Sequence, residues 1–414
     1  MQNMGLKKSF AFGTMMLFIV VCIIPSINAD IFKLNVCDSS GSILYVGGSG
    51  PGNYSKIQDA IDFASDGDTV FVYNDSSPYL EHVEINKSIK LRGEDRSSTI
   101  VDGAGEISVI SVVADEVSIS GFTIKNSSSD GIYVNGSDHI DITGNIISNN
   151  ERNGILLKYS SGNNVIHNVI GSNDNAGIVL AVSSSNSISH NNFLDNDVHA
   201  LFTTFCFSNR WNENYWDDWS GRGPKIIPGV LFGITFHLVI PWVNFDWQPM
   251  DGADENPIAI MDTNMGAMTL VLYEDKVPVT TDNFIRLSND GFYEGIVFHR
   301  VIDDFVIQGG GFDTSGTQKQ SPYGPIDLEI HPDVRHVDGA ISMARTSDPN
   351  SATSQFFICD GKQPHLDDSY AAFGKVIAGL DVLRDIASVE TTMKHGMQDW
   401  PIDEVVINDI IIID

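Results

Sequence analysis

The stretch FHRVIDDFVIQGGGF, residues 298 to 312, sets one arginine among aromatic and aliphatic residues and follows it with a glutamine and three glycines. Arg300 stands two residues from Phe298 and five from Phe305, with Gln308 further along the same stretch. A guanidinium is planar, permanently charged and rich in donors, so its place here poses a choice. Either it is half of an ion pair, with Asp303 or Asp304 as partner, or it is a fixed donor aimed at a group that is not a carboxylate. The stretch alone leaves both open.

The elements around it must decide what Arg300 can reach. IAIMDTNMGAMTLVLY, at the start of residues 257–414, alternates as two antiparallel strands turning at Asn264 and Gly266. VTTDNFIRLSND follows with a capping threonine or aspartate and apolar residues at Phe284, Ile285 and Leu287, which is the pattern of a short amphipathic helix. GAISMA, SQFFICD and YAAFGKV then read as strands, GLDVLRDIA as a second helix and EVVINDIIII as a last strand. Many short strands with two helices predict a closed antiparallel β-barrel capped by those helices.

Three segments of this region, NFIRLSNDGFYEGIVFHRVIDDFVIQGG, GAISMARTSDPNSATSQFFI and HLDDSYAAFGKV, together resemble cyclophilin, the peptidyl-prolyl cis-trans isomerase family, and its prokaryotic members in particular. The resemblance covers all of residues 257–414 in order and spacing, which makes it far more specific than a lone fingerprint. It implies that Arg300 is the catalytic arginine and that Phe305, Val306, Phe357 and Leu366 form the pocket for a proline ring. Val306 stands where the family more often has Met. Gln308 matches the glutamine that holds the substrate carbonyl or orients the arginine, and Ala344, Arg345 and Gln355 match the groove for the preceding residues. Phe298 and Phe356 read as core.

The departures from the family pattern carry expectations of their own. Arg345 replaces the asparagine of many eukaryotic members, His365 occupies the tryptophan position linked to cyclosporin binding, and Tyr370 replaces a pocket histidine. Catalysis is therefore expected with only weak cyclosporin binding. Asp303 and Asp304 replace the usual Pro-Gly before Phe305, which adds acid at the groove mouth and predicts a mild preference for basic or neutral peptides.

The chemistry that the resemblance implies needs no cofactor and no metal. An X-Pro bond is held planar behind a barrier of roughly 18–20 kcal/mol and isomerises unaided over tens to hundreds of seconds. In the twisted transition state the prolyl nitrogen becomes pyramidal and regains its lone pair. A fixed guanidinium that donates to that nitrogen stabilises the twisted state more than either planar state. No nucleophile or proton transfer is involved.

The first half of the chain is built differently. GFTI at 121, GNII at 144, HNVI at 167 and HNNF at 190 start 23 residues apart, and GIYV at 131, GILL at 154, GIVL at 177 and ALFT at 200 are stepped in the same way. Two interleaved motifs with one period indicate stacked coils. Stacking places Ile147, Ile170 and Phe193 in one core stripe, and the recurring Asn145, Asn168, Asn191 and Asn150, Asn173, Asn196 read as structural ladders at turns. This region resembles the right-handed parallel β-helix family, notably secreted proteins with pectate-lyase-like repeats related to the accessory proteins of nitrous oxide reductase. The opening YSKIQDAIDFASDGDTVFVYN, with Ile57, Ala60, Ile61 and Ala64 on one helical face, matches that family's cap.

Between Trp211 and Met250 the repeat stops, and five of the six tryptophans gather there. A terminal cap explains them better than an aromatic sugar-binding surface. His139, His167, His190 and His199 lie among the coils without a companion carboxylate at fixed spacing, so no metal site is predicted. DGADENP, residues 251 to 257, has the composition of a linker.

Composition bounds the rest. With 54 acidic against 24 basic residues the net charge is −30, which excludes nucleic acid as a partner. Lys7 and Lys8 precede an apolar run from Phe10 to Ile24, and Ser26 to Ala29 offer small residues for cleavage, the order of a secretory signal. Of the four cysteines, Cys22 falls in that signal, Cys37 and Cys206 could pair outside the cell, and Cys359 reads as a buried hydrophobe.

The chain therefore reads as mainly β: a signal over 1–29, a right-handed parallel β-helix over 30–210, a cap over 211–250, a linker over 251–256 and a cyclophilin-type domain over 257–414. The expected function is isomerisation of proline-containing exported or surface proteins, with the β-helix as scaffold or as a module for polysaccharide or envelope surfaces. The alternative is a non-catalytic binder of Pro-peptides and glycans. A polysaccharide lyase or hydrolase is disfavoured, because no catalytic acids or bases stand out in the coils.

Overall fold

In a parallel stack of strands, each coil must present the next with the same hydrogen-bond pattern, and here the 23-residue step does so. The computed structural model describes residues 41–105, 107–232 and 239–413. The expected signal, with Cys22 and Cys37, lies outside the described residues.

The solenoid has three faces of parallel strands. Its register pairs Ile146 with Val169 and Val169 with Asn192, and Ile147 with Ile170 and Ile170 with Phe193. The seven-stranded face runs from Tyr79–Leu80 to Tyr215–Trp216. The other two faces are joined into a single sixteen-stranded sheet by an antiparallel hairpin, Lys225–Phe232 with Val239–Asp246. Helix α1 (Ile57–Phe63) closes the first coil with Ile57, Ala60 and Ile61 buried. Its first amide groups donate to the carboxylate of Glu81, at 3.0 Å from Ile57 and 3.2 Å from Gln58, which places an anion where the helix end favours one.

Turn amides between the faces are satisfied by side chains one coil further on. The amide nitrogens of Asn145, Asn168 and Asn191 donate to Oδ1 of Asn168, Asn191 and Asn214 at 2.9, 3.0 and 3.1 Å. A second ladder runs through Asn150, Asn173 and Asn196. A third, not read from the sequence, runs through Asn163, Asn186 and Asn209. Ser160 and Ser183 form a fourth, which ends on Cys206: the Ser183 amide donates to its Sγ at 3.4 Å. Cys206 is free and buried in that role.

The tryptophan-rich stretch continues the solenoid before it caps it. Trp211 pairs in register with Ile188, and Trp216 stacks on Phe193 with ring centroids 4.3 Å apart. Asp246 then ends the first ladder, taking the Asn214 amide at 3.1 Å and the Trp216 indole N–H at 3.2 Å. Trp242 and Trp247 remain exposed.

The second half forms an eight-stranded antiparallel sheet. In order its strands are Arg300–Ile302, Val306–Gly309, Phe356–Cys359, Ala340–Met343, Ala372–Ala378, Gly266–Leu272, Ile258–Thr263 and Ile407–Ile413. Among the described residues the two end strands do not pair, so the sheet is an open half-barrel and not the closed barrel expected. Alternation tells which face a residue takes, not whether the ends of a sheet meet. Between the ends runs the segment around Ile296–Val297, with a bridge from Val297 to Val406 and bonds from the Gly295 amide to Ile407 at 2.9 Å and from the Phe298 amide to Val405 at 3.0 Å. Helix α2 (Pro278–Asn289) starts with proline at its first position, and its amides are capped from a distance by Glu329, not by the expected threonine or aspartate. With helix α3 (Leu380–Ala387) it packs on a core that includes Phe284, Phe298, Phe356 and Phe373, all fully buried.

The expected linker is pinned to the solenoid. Asn192 exchanges two bonds with the Asp254 backbone, both 2.9 Å. Lys90 pairs with Asp262 at 2.9 Å and Arg92 with Asp409 at 2.8 Å. Gly144, at φ +65°, lies so close to the second half of the chain that a Cβ there would meet Ile413 at 2.8 Å. Along the same face Ser120, Thr143 and Ile166, which follow Arg92 in register, are buried although alternation points them outward. Residues Ser40–Asp414 accordingly form one compact unit.

His167 sits in this seam, 2% exposed, with Asp254 Oδ2 3.7 Å from Nδ1. Burial, aided by Arg96 and His190, pushes its pKa down from 6.5 to about 3.

Two outcomes follow. Asn191→Ala strips the Asn168 amide of its acceptor and is expected to cost about 1–3 kcal/mol, read as a lower urea midpoint, with a smaller drop for Asn164→Ala at the solenoid surface. The unfolded chain protonates His167 before the folded one, so stability is lost as pH falls from 6.5 towards about 3. The thermal midpoint of His167→Asn should therefore fall less than that of the wild type on acidification.

Candidate active site

A tight turn presents the arginine. Strand Arg300–Ile302 pairs back on Val306–Gly309, with Arg300 opposite Gln308. The turn requires a left-handed residue, and Asp304 supplies it at φ +56°; aspartate is among the few side chains that tolerate this region. Asp304 is held there by its amide, which donates to Asp360 Oδ2 at 2.9 Å. It is thus a turn residue and not the ion-pair partner of Arg300. Beyond Gln308 the chain bends at Gly310, φ +82°, where a Cβ would lie 2.4 Å from the Ser354 carbonyl oxygen. This close passage brings Gln355 alongside Gln308, whose Nε2 donates to Gln355 Oε1 at 3.2 Å.

Nine of the eleven expected residues line one cavity of about 130 Å³: Arg300, Phe305, Val306, Gln308, Ala344, Arg345, Phe357, Leu366 and Tyr370. The other two border it, Gln355 through Gln308 and His365 by stacking on Phe305 with ring centroids 5.7 Å apart. The volume is the size of one small side chain, well below the roughly 300 Å³ at which drug-sized pockets begin. Val306 and Phe357 are nearly buried and form its base, while Tyr370 meets Phe357 edge-on at 5.7 Å.

Arg300 stands at the rim. Its guanidinium carbon is 5.8 Å from the centre of the Phe305 ring, and its side chain is 37% exposed. The acid that approaches it is Asp399, with 3.9 Å from Nε to Oδ2, too long for a hydrogen bond. Its donors are therefore available to a molecule in the cavity. Arg345 is committed elsewhere, since Nε and Nη2 donate to the Ser369 carbonyl at 3.1 and 2.8 Å and its guanidinium lies 4.7 Å over Tyr370. It shapes the wall more than it offers charge.

Beneath Phe357 lies a set of residues that sequence reasoning missed. The His336 ring stacks on Phe357, centroids 5.9 Å apart and nearly parallel. Its Nδ1 is 2.9 Å from Asp367 Oδ1 and its Nε2 3.0 Å from Ser342 Oγ. Ser342 is fully buried and Phe357 covers His336, so this Ser, His and Asp arrangement is support and not a nucleophile. Burial holds the His336 pKa below its usual value, opposed by Asp367. Ser342, a polar residue inside the apolar strand GAISMA, was the signal in the sequence.

Comparison with known proteins agrees with both halves. Residues 258–412 match the family model described as cyclophilin type peptidyl-prolyl cis-trans isomerase/CLD, and residues 68–229 match the right handed beta helix region. A peptidyl-prolyl cis-trans isomerase of Acinetobacter baylyi is 44% identical over 147 residues, 34% of this chain and 77% of that protein. Peptidyl-prolyl cis-trans isomerase A of Dickeya dadantii is 39% identical, covering 40% of this chain and 90% of its own. The cyp18 isomerase of Streptomyces antibioticus is 41% identical, covering 36% and 93%. A solved cyclophilin type isomerase of Cryptosporidium parvum is 34% identical over 38% of this chain and 98% of that one, with a TM-score of 0.34.

Replacing His336 by Leu leaves the buried Ser342 hydroxyl without its partner. A loss of about 1–3 kcal/mol is expected, measured by chemical denaturation, together with changed near-ultraviolet dichroism as Phe357 and Tyr370 lose their fixed packing.

Proposed function

Because this chain belongs to the cyclophilin-type peptidyl-prolyl cis-trans isomerase family, we propose that Arg300 is the electrophile that draws the prolyl nitrogen out of amide resonance. The observation that carries this reading is the position of its guanidinium: at the rim of a cavity the size of one ring, beside Phe305, with no carboxylate of the described residues in hydrogen-bonding contact.

The proline ring enters between Phe305, Val306, Phe357 and Leu366, where burial of its apolar surface favours the bound state. Gln308, steadied by Gln355, takes the carbonyl that precedes the proline or holds Arg300 in line. Ala344 and the wall formed by Arg345 and Tyr370 seat the residues before it, and His365 extends the apolar rim through Phe305. As the amide twists, the nitrogen lone pair becomes an acceptor and Arg300 donates to it. The planar ground states offer no such acceptor, so the contact lowers the barrier without tightening substrate binding equally. Asp303 and Asp304, both exposed, give the mouth negative potential that favours basic or neutral peptides.

The β-helix serves as the support on which this groove is carried. The docked strands Ile258–Thr263 and Ile407–Ile413 lie at one end of the sheet order, and the groove strands Arg300–Ile302 and Val306–Gly309 lie at the other. The groove is thus built on strands other than those that carry the docking ion pairs. Action on exported polypeptides is supported by the apolar run Phe10–Ile24 behind Lys7 and Lys8, and the reaction suits such a setting because it consumes no ATP.

The test is protease-coupled isomerisation of an Ala-Pro tetrapeptide by the full chain. The wild type should accelerate the slow phase, and Arg300→Ala should lose about 10²-fold of that acceleration, the scale of removing one transition-state donor, with an unchanged thermal midpoint. A variant as active as the wild type would sink the assignment.

A further inference from the structure

The last full coil carries a group of side chains that isomerase chemistry does not use. Strand Val198–Thr203 and the hairpin strand Lys225–Phe232 border a cleft of about 500 Å³, into which Asp195, Asp197, His199, Asp217, Asp218 and Lys225 project. His199 is only 6% exposed. Its ring is wedged beside Phe193 and Trp216, centroids 6.4 and 6.2 Å away, so its direction is set by packing. That direction turns Nε2 to two carboxylates at once, 2.7 Å from Asp217 Oδ1 and 3.3 Å from Asp218 Oδ1.

One carboxylate is enough to hold a histidine. Here the second completes a set in which an imidazole nitrogen and two carboxylate oxygens all lie within 4.8 Å of one another. A divalent ion about 2.0–2.2 Å from each ligand needs donors of this kind at such separations. The orienting contacts of a metal site are also present. Asp217 is fixed by its other oxygen, which accepts the Asp195 amide at 2.7 Å, as second contacts fix metal ligands. Asn196 Nδ2 stands 3.4 Å from His199 Nδ1, beyond the usual 2.7–3.2 Å, so it does not fix which ring nitrogen bears the proton. Lys225 already places a cation on Asp218, and that carboxylate, 55% exposed, is free to turn.

We infer that His199, Asp217 and Asp218 form a binding site for a borderline divalent cation of the Zn²⁺ type, open on its cleft side to water or to an oxygen donor. One nitrogen and two carboxylate oxygens suit Zn²⁺ better than the all-oxygen shells of Ca²⁺. Lys225 is its competitor: the ammonium leaves Asp218 when the ion enters, and neutral His199 takes the tautomer with its proton on Nδ1, which leaves the Nε2 lone pair for the ion. Sequence reading missed the set because Asp217 and Asp218 come one coil after His199, and only the stacked coils bring the three together.

The experiment is calorimetric titration of Zn²⁺ into the chelator-treated full chain, with excess Ca²⁺ present to occupy exposed carboxylates. Saturable binding near one equivalent is expected. Asp218→Asn, a surface change, should weaken it by about tenfold or more, and Lys225→Gln should tighten it several-fold by removing the competing ammonium. Absence of saturable binding, wild-type affinity in Asp218→Asn, or no tightening in Lys225→Gln would each overturn the site.

Discussion

A buried backbone amide without an acceptor costs free energy on the scale of a lost hydrogen bond, and the first half of this chain is organised around that cost. Three strand ladders satisfy most of each coil, but the turns between them also go inside. Asparagine solves this because one short side chain carries an acceptor for the coil before it and donors for its own surroundings. Asn168 and Asn191 do both, since each Oδ1 accepts an amide from the preceding coil while each Nδ2 donates to a carbonyl. The second and third ladders end on Asn196 and Asn209, whose Nδ2 groups donate to carbonyls, whereas the first continues one step further. Asp246, an acceptor only, closes it.

The rigidity of that stack is what the catalytic half rests on. Its sheet docks against a face where outward positions are small or buried, Ser120, Thr143 and Gly144 among them, and two ion pairs plus the Asn192 clamp on Asp254 fix its placement. From there the order of strands leads to the turn of Asp304 and the rim of Arg300. The pocket base is likewise stiffened from below, by His336 held between Asp367 and Ser342. Support of this kind matters for a reaction that rests on positioning, because a donor misplaced by an ångström forfeits much of its effect.

Much of this was legible in the sequence where a feature recurs or several motifs agree. The 23-residue step gave the strand registers and two ladders, and Arg300, Phe305, Gln308, Gln355 and Phe357 converge as their order implied. What escaped depends on contacts between distant segments. The Asn163, Asn186 and Asn209 ladder lies between the two motifs that defined the period. Helix α2 is capped by Glu329, far along the chain, so no local signal marks it. The sheet stays open because closure depends on how its ends meet, and alternation does not record that. The stretch 251–256 has the composition of a free linker, yet Asn192 binds it, and Asn192 looked like one more polar member of the repeat.

The ladders also govern how such a chain can change length. An insertion of one or two residues within the coils would set every later asparagine against the wrong amide, so small indels there are lethal to the stack while a whole coil is neutral to it. Variation among related solenoids of this construction should come in steps of one period, each moving the far end by the spacing of one strand, about 4.8 Å. The seam complicates this, because it grips coils from Lys90 to Asn192. Growth is therefore confined to the coils ahead of Lys90, and the catalytic half travels with the fixed remainder as a head of constant shape on a stalk of adjustable reach.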